Sequence, residues 1–521
     1  MSDLEQARQI VDVAAEVVAA GVDALVSADI DEQQLLAYDV AHAASAVEAC
    51  RSLLPYGARG PTEAALTSAY VADVVHDLAD RTFGAEDRWG ISDEALATTR
   101  AFVGQHRTAE SLARFVSDPG PTHLSDDFAL VAETFRRFAD NEVAPHAEHV
   151  HRTNADVPEP IITGLAELGG FGLSIPEEYG GFADGSTNDY LGMVVATEEL
   201  SRASLGIGGS LMTRPEILTR ALVRGGTEAQ KQAWLPPLAR GEIMAAVAVT
   251  EPDYGSDVAA VRVSATPGPD GWRINGTKTW CTFAARADVL LLLARTEPGS
   301  TDHRGLTGFV VPKERGDGHG FVLTQPHGGR MEARPIDTIG YRGMHSYEIA
   351  FDDWLVPDDC QIGGDEGRGR GFYYQMEGFE NGRLQTAARA VGVMQAAFEA
   401  ARDYANDRVV FDRPIAEYQL TQSKLGRMAV MIQASRQFMY RVAELMADGE
   451  GMLEASMVKA YVCRAAEWVT REALQIHGGM GYAEEYAVSR YYVDARVLSI
   501  FEGADETLCL KVIARRLLAD R

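Results

Sequence analysis

The periodicity of the apolar residues changes twice along the chain, and this order constrains the fold more than any single motif. Up to about residue 244 apolar residues recur at helical spacing, as in Ile10, Ala14 and Val17. From Ala245 short β-prone runs follow without intervening helices. From about Gly371 long amphipathic segments return, over Phe372–Asp407, Ile415–Gly449 and Met452–Ile476. Strands that do not alternate with helices favour an antiparallel sheet. We therefore predict an α+β multidomain protein with helices, a mostly antiparallel barrel or sandwich, and an antiparallel helical bundle.

We divide the chain into four domains. They are a helical N-terminal extension over residues 1–120, a second helical domain over 121–244, a β-domain over 245–365 and a four-helix bundle over 366–521. A helix is predicted to begin near Ser92, a favoured N-cap residue type. The Asn-Gly pair within Trp272–Trp280 predicts a β-hairpin. The extension carries no catalytic pattern, so we interpret it as a packing or oligomerisation module.

Charge and composition exclude several classes of function. The 521 residues carry a formal charge of -28, which disfavours binding to nucleic acid or to an anionic membrane. No apolar run approaches the roughly 20 residues that a membrane span needs, and the N-terminus lacks the regions of a signal peptide. The five cysteines are scattered without metal-type spacing, so we expect reduced thiols in a cytoplasmic protein.

Near the C-terminus an acid stands between an aromatic residue and a glycine, in Phe501-Glu502-Gly503. A carboxylate with apolar neighbours loses hydration, which makes it a better proton acceptor near neutral pH. The glycine lets the backbone approach a ligand closely. Taken alone, the pattern is more typical of an exposed Glu before a helix. The interpretation of Glu502 as a general base therefore depends on motifs elsewhere in the chain.

Four further motifs precede this one. They are Val249–Asp257 (VTEPDYGSD), Asn275–Thr282 (NGTKTWCT), Asp407–Pro414 (DRVVFDRP) and Gln475–Tyr482 (QIHGGMGY). With Phe501-Glu502-Gly503, in this order and across an α–β–α layout, they resemble the acyl-CoA dehydrogenase family of flavoproteins. Each motif alone is weak, but five in the right order are highly specific. The resemblance extends from about Ser125 to the C-terminus.

The resemblance implies FAD as cofactor. It implies that Thr250 and Thr282 present polar groups to the edge of the isoalloxazine ring and that Trp280 lies against the ring. Such contacts position and tune the flavin, while the redox chemistry belongs to the cofactor. The expected cofactor-binding residues are Val249, Thr250, Ser256, Trp280, Thr282, Arg408, Phe411, Gln475, Gly478 and Gly479. The last three match a loop that approaches the FAD of a neighbouring subunit, which implies a homodimer or homotetramer.

The resemblance also implies the chemistry. Glu502 matches the base that removes the proton α to the thioester, while a hydride leaves the β carbon for flavin N5. The backbone N–H of Glu502 and a ribityl hydroxyl would donate to the thioester oxygen, as in an oxyanion hole. One branch of the family takes its base from another helix, but the matching residue here is Gly382, which cannot serve. Ser256, Gly503 and Arg383 match substrate-binding positions, although a purely structural Arg383 is an open alternative.

Two residues depart from the family pattern: Ala504 replaces a threonine and Glu506 a glutamine, so we assign neither to the cofactor. The extension and Gly209–Arg214 resemble the branch that converts (2S)-methylsuccinyl-CoA to mesaconyl-CoA in the ethylmalonyl-CoA pathway. The same resemblance holds for Gly340–Met344, Tyr347-Glu348, Gln385–Ala390, Ile500–Ala504 and Ile513–Leu517. Such a substrate carries a free carboxylate, whose burial requires a partner. We hypothesise that Arg214 is this partner and that Tyr341 lines the same pocket, with Tyr347 a further candidate. A surface arginine at a helix start is the alternative.

Other functions stay open. The substrate could be a short- or branched-chain fatty acyl-CoA, and electrons could pass to oxygen rather than to the expected acceptor, electron-transfer flavoprotein. A DNA-associated alkylation-response flavoprotein belongs to another class, and it would need a basic C-terminal surface that the charge of -28 argues against. The presence of Glu502 argues against a catalytically dead binding subunit.

Overall fold

The computed structural model describes residues 2–26, 29–316 and 319–521. Residues up to Leu130 together with Thr386–Arg521 form one compact unit, and Val131–Gln385 form a second. The predicted order of helices, strands and helices is confirmed.

The N-terminal extension is helical, as predicted. Its helices are α1 (Asp3–Val26), α2 (Gln34–Gly57), α3 (Pro61–Thr82), α4 (Glu86–Trp89), α5 (Arg100–His106) and α6 (Ala109–Ala113). The predicted apolar face of α1, including Ala14 and Val17, is buried. The prediction of a helix from Ser92 is wrong. Tight turns with bonds three residues apart, such as Ala95 N to Ser92 O at 3.0 Å, occupy that segment, and α5 begins only at Arg100.

Further helices follow before the strands. They are α7 (Asp126–Phe138), α8 (Ala144–Thr153), α9 (Glu159–Glu167), α10 (Thr187–Ala203), α11 (Thr213–Gly225) and α12 (Glu228–Ala239). The last begins with a capping box, because Gln230 N donates to Thr227 Oγ1 and Thr227 N donates to Gln230 Oε1. Gln230 Nε2 also donates to Gln361 O at 2.7 Å, which ties α12 to the segment after the last strand of the sheet.

Eight strands form one sheet. They are β1 (Ala245–Ala248), β2 (Ser264–Gly268), β3 (Gly271–Thr282), β4 (Val289–Arg295), β5 (Leu306–Pro312), β6 (Phe321–Thr324), β7 (Arg330–Ile336) and β8 (Ser346–Val356). Their order is β1-β4-β2-β3-β8-β7-β6, and β5 pairs with β4. Most pairs are antiparallel, as predicted, but β1 and β2 each pair with β4 in parallel. Ile274, Leu292 and Ile349 lie in the buried core of this sheet.

The hairpin predicted at Asn275-Gly276 is wrong. β3 continues through both residues and pairs with β8, with a register shift next to Gly276. Asn275 Oδ1 accepts from Asp353 N at 2.9 Å, and Gly276 has a φ of +125°. The Asn-Gly pair therefore forms a bulge within a long strand. The turn lies earlier, where Gly268 pairs with Gly271 between β2 and β3.

The chain ends in long helices, in close agreement with the predicted amphipathic segments. The elements are α13 (Gly364–Gly367), α14 (Gly371–Asp407), β9 (Val409–Val410), β10 (Arg413–Pro414), α15 (Gln419–Ala447), α16 (Met452–His477), α17 (Ala487–Leu498), α18 (Asp505–Thr507) and α19 (Ala514–Ala519). Helix α2 packs against α15 and α16, so the extension shares a core with the C-terminal helices.

In the described part of the chain, every helix is too short or too polar to cross a bilayer. The five cysteines carry free thiols and are all buried, in agreement with the prediction of reduced cysteines.

Candidate active site

A buried ion pair holds the segment that begins at Val249. Lys278 Nζ lies 2.8 Å from Glu251 Oε1 and donates to Val249 O at 2.7 Å. The Glu251 carboxylate also accepts from the backbone N–H groups of Arg262 and Val263, each at 2.7 Å. Burial lowers the pKa of Lys278, and the nearby Glu251 opposes that shift. The first two sequence motifs are thereby fixed to each other.

This pairing places Thr250 beside the end of β3. The residue before Trp280 donates its N–H to Thr250 O at 2.9 Å. Trp280 has a φ of +57° and leaves 55% of its surface exposed. Thr282 follows it, with its hydroxyl oxygen 3.1 Å from that of Ser346, and Ser256 lies exposed in the loop after Thr250. The structure thus brings together the residues predicted to contact the isoalloxazine edge.

Arg214 is buried in the first turn of α11, which excludes the alternative of a surface arginine. Its Nε donates to Ser210 O at 3.2 Å and its Nη2 to Thr213 Oγ1 at 2.6 Å. Its Nη1 lies 3.5 Å from Thr282 O. A buried guanidinium therefore contacts the same strand end that carries the predicted flavin-edge residues.

The two candidate pocket tyrosines are both buried. Tyr347 lines a cavity of about 400 Å³ together with Phe283, Arg286 and Met344. Burial raises the pKa of Tyr347. Tyr341 has a φ of +57°. The described residues that line this cavity include neither Tyr341 nor Arg214.

Glu502 lies in a tight turn between α17 and α18. Its φ is +54°, a strained value for a non-glycine residue, and that of Gly503 is +96°. Asp505 N donates to Ser499 O at 3.1 Å and closes the turn, while Lys459 Nζ donates to Gly503 O at 2.5 Å. Glu502 Oε2 is buried and has no hydrogen-bond partner among the described residues. An oxygen in this situation can accept a proton from a ligand.

Arg408 precedes the short hairpin of β9 and β10. Phe411 lies in the turn of this hairpin with a φ of +51° and 89% of its surface exposed. One helical turn before Arg408, the ring of Tyr404 stacks on His477 with centroids 4.3 Å apart. The hairpin base therefore lies near the end of α16, where the predicted glycine loop begins.

The glycine loop at the end of α16 and the indole of Trp280 are both exposed. Gln475, Gly478 and Gly479 are exposed, and a Cβ added at either glycine would meet open space. Gly478 has a φ of +60°, which favours glycine. Open backbone of this kind suits a phosphate, and the exposed indole of Trp280 suits a flat ring. These residues fit FAD.

Arg383 is half-buried on α14. Burial raises the pKa of Glu380 on the preceding turn, and Arg383 opposes that shift. Gly382 lies on the same helix, and it has no side chain that could act as a base.

Three buried charges were not predicted. Lys278 lies in the motif Asn275–Thr282, but its partner Glu251 lies 27 residues earlier in the chain. Lys459 falls on the apolar face of α16, four residues from the buried Ala455 and Cys463. Arg389 is fully buried, with its guanidinium 4.9 Å from the centroid of the Phe501 ring. A charged residue at an apolar position of a periodic helix is the signal that could have identified the last two.

Comparisons with known proteins show the family of the chain. Sequence profiles described as the N-terminal, middle and C-terminal domains of acyl-CoA dehydrogenase match residues 125–242, 246–354 and 369–518. The (2S)-methylsuccinyl-CoA dehydrogenase of Cereibacter sphaeroides is 40% identical over 516 aligned residues, which cover 94% of this chain and 91% of that protein.

Solved structures show the same fold. A glutaryl-CoA dehydrogenase in complex with glutaryl-CoA has a TM-score of 0.69 and 30% identity, covering 77% of this chain and 97% of that one. A glutaryl-CoA dehydrogenase from Mycobacterium smegmatis in complex with FADH2 has a TM-score of 0.66 and 26% identity, covering 76% and 95%.

The fold and these residues define an FAD-dependent oxidoreductase. The chain belongs to the acyl-CoA dehydrogenase family. Across nearly its whole length, it is similar to the methylsuccinyl-CoA dehydrogenase of C. sphaeroides.

Proposed function

We propose that the enzyme catalyses α,β-dehydrogenation of a short branched dicarboxylic acyl-CoA, converting (2S)-methylsuccinyl-CoA to mesaconyl-CoA in the ethylmalonyl-CoA pathway. The observation that carries this proposal is the buried guanidinium of Arg214, with Nη1 3.5 Å from Thr282 O. A substrate with a free carboxylate close to its reacting carbons requires a buried cation beside the flavin edge. The identity of 40% to the C. sphaeroides enzyme supports the same substrate.

Glu502 is proposed to remove the proton from the carbon α to the thioester. The buried Oε2 takes the proton, and the backbone N–H of Glu502 donates to the thioester oxygen, where negative charge develops. Gly503 lets the backbone pass close to the thioester. Ser256 and Arg383 are proposed to contact the substrate, with Arg383 near the CoA chain.

FAD, when bound, accepts the hydride that leaves the β carbon. Val249, Thr250, Trp280 and Thr282 are proposed to hold its ring. Arg408 and Phe411 are proposed to hold its pyrophosphate-bearing part, and the loop of Gln475, Gly478 and Gly479 to approach the FAD of a partner subunit. The exposed indole and the open glycines support these assignments.

A substrate panel tests the proposal. Purified protein is expected to be yellow, and its flavin should bleach under anaerobic conditions on mixing with an acyl-CoA. We expect (2S)-methylsuccinyl-CoA to bleach it at least about tenfold faster than butyryl-, isobutyryl- or glutaryl-CoA, a difference of about 1.4 kcal/mol. Equal or faster reduction by butyryl- or isobutyryl-CoA would instead support a fatty acyl-CoA dehydrogenase. Peroxide formed in air without an added acceptor would support an oxidase.

We also propose that the enzyme is a cytoplasmic homodimer or homotetramer and that electron-transfer flavoprotein accepts its electrons. Phe411 and Tyr482 expose 89% and 86% of their surfaces, and large exposed apolar side chains support a subunit interface. Light scattering on the eluting protein measures the subunit number. Substrate-dependent reduction of purified electron-transfer flavoprotein tests the acceptor.

A further inference from the structure

Four polar side chains cluster immediately after the turn that carries Glu502: His42, Asp505 and Cys509 are buried and Tyr38 is half-buried. Tyr38 OH donates to Asp505 Oδ2 at 2.5 Å, and His42 Nε2 lies 3.1 Å from the same oxygen. Cys509 Sγ lies 3.4 Å from His42 Nε2. Asp505 Oδ1 is buried without a hydrogen-bond partner among the described residues. The two contacts to Oδ2 therefore anchor the carboxylate.

Asp505 is also part of the catalytic turn. Its backbone N–H closes the turn through Ser499 O at 3.1 Å. The other end of the turn is fixed where the Ser499 hydroxyl donates to Glu467, and the middle is fixed by Lys459 on Gly503 O. A displacement of Asp505 would therefore move the backbone of the turn only three residues from Glu502. The φ of Glu502, +54°, is already strained.

Tyr38 and His42 both lie on α2 of the N-terminal extension. The family profiles begin at residue 125, and 77% of this chain is enough to cover 97% of a solved glutaryl-CoA dehydrogenase. The segment that contacts Asp505 is thus additional to the part of the chain that the family profiles describe. Further contacts tie the extension to the C-terminus, because Lys511 Nζ lies 2.6 Å from Asp31 and Arg521 Nε 3.3 Å from Asp23.

The cluster is better suited to anchoring than to binding a metal. His42, Asp505 and Cys509 offer three ligand atoms within 4.8 Å of one another, but Asp505 Oδ2 is already bonded to Tyr38 and close to His42. Burial raises the pKa of the Cys509 thiol, as does the nearby Asp505, and a metal ligand would need the thiolate. Although burial acts against it, hydrogen bonding from His42 and then from Tyr38 keeps the pKa of Asp505 below its ordinary value.

We infer that Tyr38 and His42 are positioning residues, which hold Asp505 and through it set the orientation of the Glu502 carboxylate for proton removal. The inference rests on the proposed role of Glu502 as the base. It gives the N-terminal extension a part in catalysis, beyond the packing module predicted from sequence.

The test uses full-length holoenzyme with four substitutions. Tyr38→Phe and His42→Leu remove the two donors, and His42→Gln retains a donor as the conservative variant. Tyr56→Phe is the matched control, since Tyr56 is buried on the same helix and packs against His123. For each variant we measure FAD content, the unfolding temperature, and the rate constant of flavin reduction as a function of acyl-CoA concentration.

We expect Tyr38→Phe and His42→Leu to lower the limiting reduction rate about tenfold, because small displacements of a catalytic group are costly. The apparent Kd for the acyl-CoA and the FAD content should change less than about twofold, and His42→Gln and Tyr56→Phe should stay near the parent rate. An α-deuterated substrate should show a kinetic isotope effect at least as large as in the parent enzyme. For each variant, the ratio of its limiting reduction rate to the parent rate should be the same with methylsuccinyl-CoA and with butyryl-CoA.

A rate that falls only in proportion to lost FAD, or that does not fall in either donor-removing variant, would overturn the inference. If His42→Leu does not fold, Tyr38→Phe decides, since it removes a single oxygen. Failure of the proposed function is distinguishable, because a Glu502→Gln enzyme would then reduce its flavin at the parent rate.

Discussion

The ammonium of Lys278 lies 2.8 Å from Glu251 Oε1, and the two side chains are only 0% and 6% exposed. Removing both ions from water is costly, and such a pair is favourable only when further hydrogen bonds satisfy it. Val249 O provides one such bond, and two backbone N–H groups provide the others. The pair therefore holds the segment that carries Thr250 beside the end of β3.

Replacing Lys278 by Met should destabilise the protein strongly, because it leaves the Glu251 carboxylate buried without its cation. We expect a loss of about 3–5 kcal/mol in the free energy of unfolding, measured with urea. Adding Glu251→Gln should recover part of the loss. Arg240→Met is the control, since the Arg240–Glu242 pair is exposed and should contribute less than about 1 kcal/mol. If Lys278→Met and Arg240→Met lower the free energy of unfolding equally, the buried pair has no special role.

Glu502→Gln should bind acyl-CoA and FAD but lose the base. General-base catalysis contributes about 10²–10⁴-fold, so the rate of flavin reduction in stopped-flow measurements should fall at least about 100-fold. Glu506→Gln is the matched control, because it neutralises an exposed carboxylate four residues away and should keep the parent rate. Equal rates in both variants would assign the proton transfer to another group.

Arg214→Ala should weaken binding of (2S)-methylsuccinyl-CoA much more than binding of butyryl-CoA. A hydrogen bond to a charged group contributes about 1.5–3 kcal/mol, so Kd for the dicarboxylic ester should rise about 10- to 100-fold. Arg214→Lys retains the charge and should recover part of the loss. If affinity for both esters falls by the same factor, Arg214 has a structural role only.

Gly478→Ala should lower FAD occupancy. The residue has a φ of +60° and faces open space, so the substitution strains the backbone and adds a methyl group where a phosphate is proposed to approach. Gly449→Ala is matched to it, with a φ of +77° and equally open surroundings. Both variants should lose similar stability, and only Gly478→Ala should lose bound flavin, measured by absorbance after gel filtration. Retained flavin in Gly478→Ala would exclude this loop as a phosphate contact.

Glu380 should make stability depend on pH. Burial raises its native pKa, with Glu377 adding to the rise and Arg383 opposing it. The contribution of Glu380 to the free energy of unfolding is therefore fully present below its unfolded pKa of about 4.3. It is lost as pH rises through the native pKa. Glu380→Gln should raise the unfolding temperature relative to the parent at about pH 7.5 and less so near pH 4.5. Glu242→Gln is the control, because Arg240 lowers the pKa of the Glu242 carboxyl, and it should not raise the unfolding temperature. An equal rise in both variants would show that the loss of one negative charge, and not the burial of Glu380, is responsible.

Several features followed from local sequence. Helical periodicity predicted the bounds of α14, α15 and α16 to within a few residues, because such long amphipathic segments specify one buried face by themselves. The succession of strands without helices predicted the sheet, and the five motifs predicted the family and its FAD. The four-domain division and the roles of the individual site residues stay predictions.

The sequence by itself thus determined the order of the helical and strand regions, the long C-terminal helices and the identity of a candidate base. Only the tertiary structure decided that Asn275-Gly276 forms a bulge, that Arg214 is buried and that Tyr38 contacts Asp505. The physical reason is that periodicity and turn chemistry act over a few residues, whereas these contacts join segments far apart. Tyr38 and Asp505 are 467 positions apart, and their contact exists because α2 packs against the C-terminal helices.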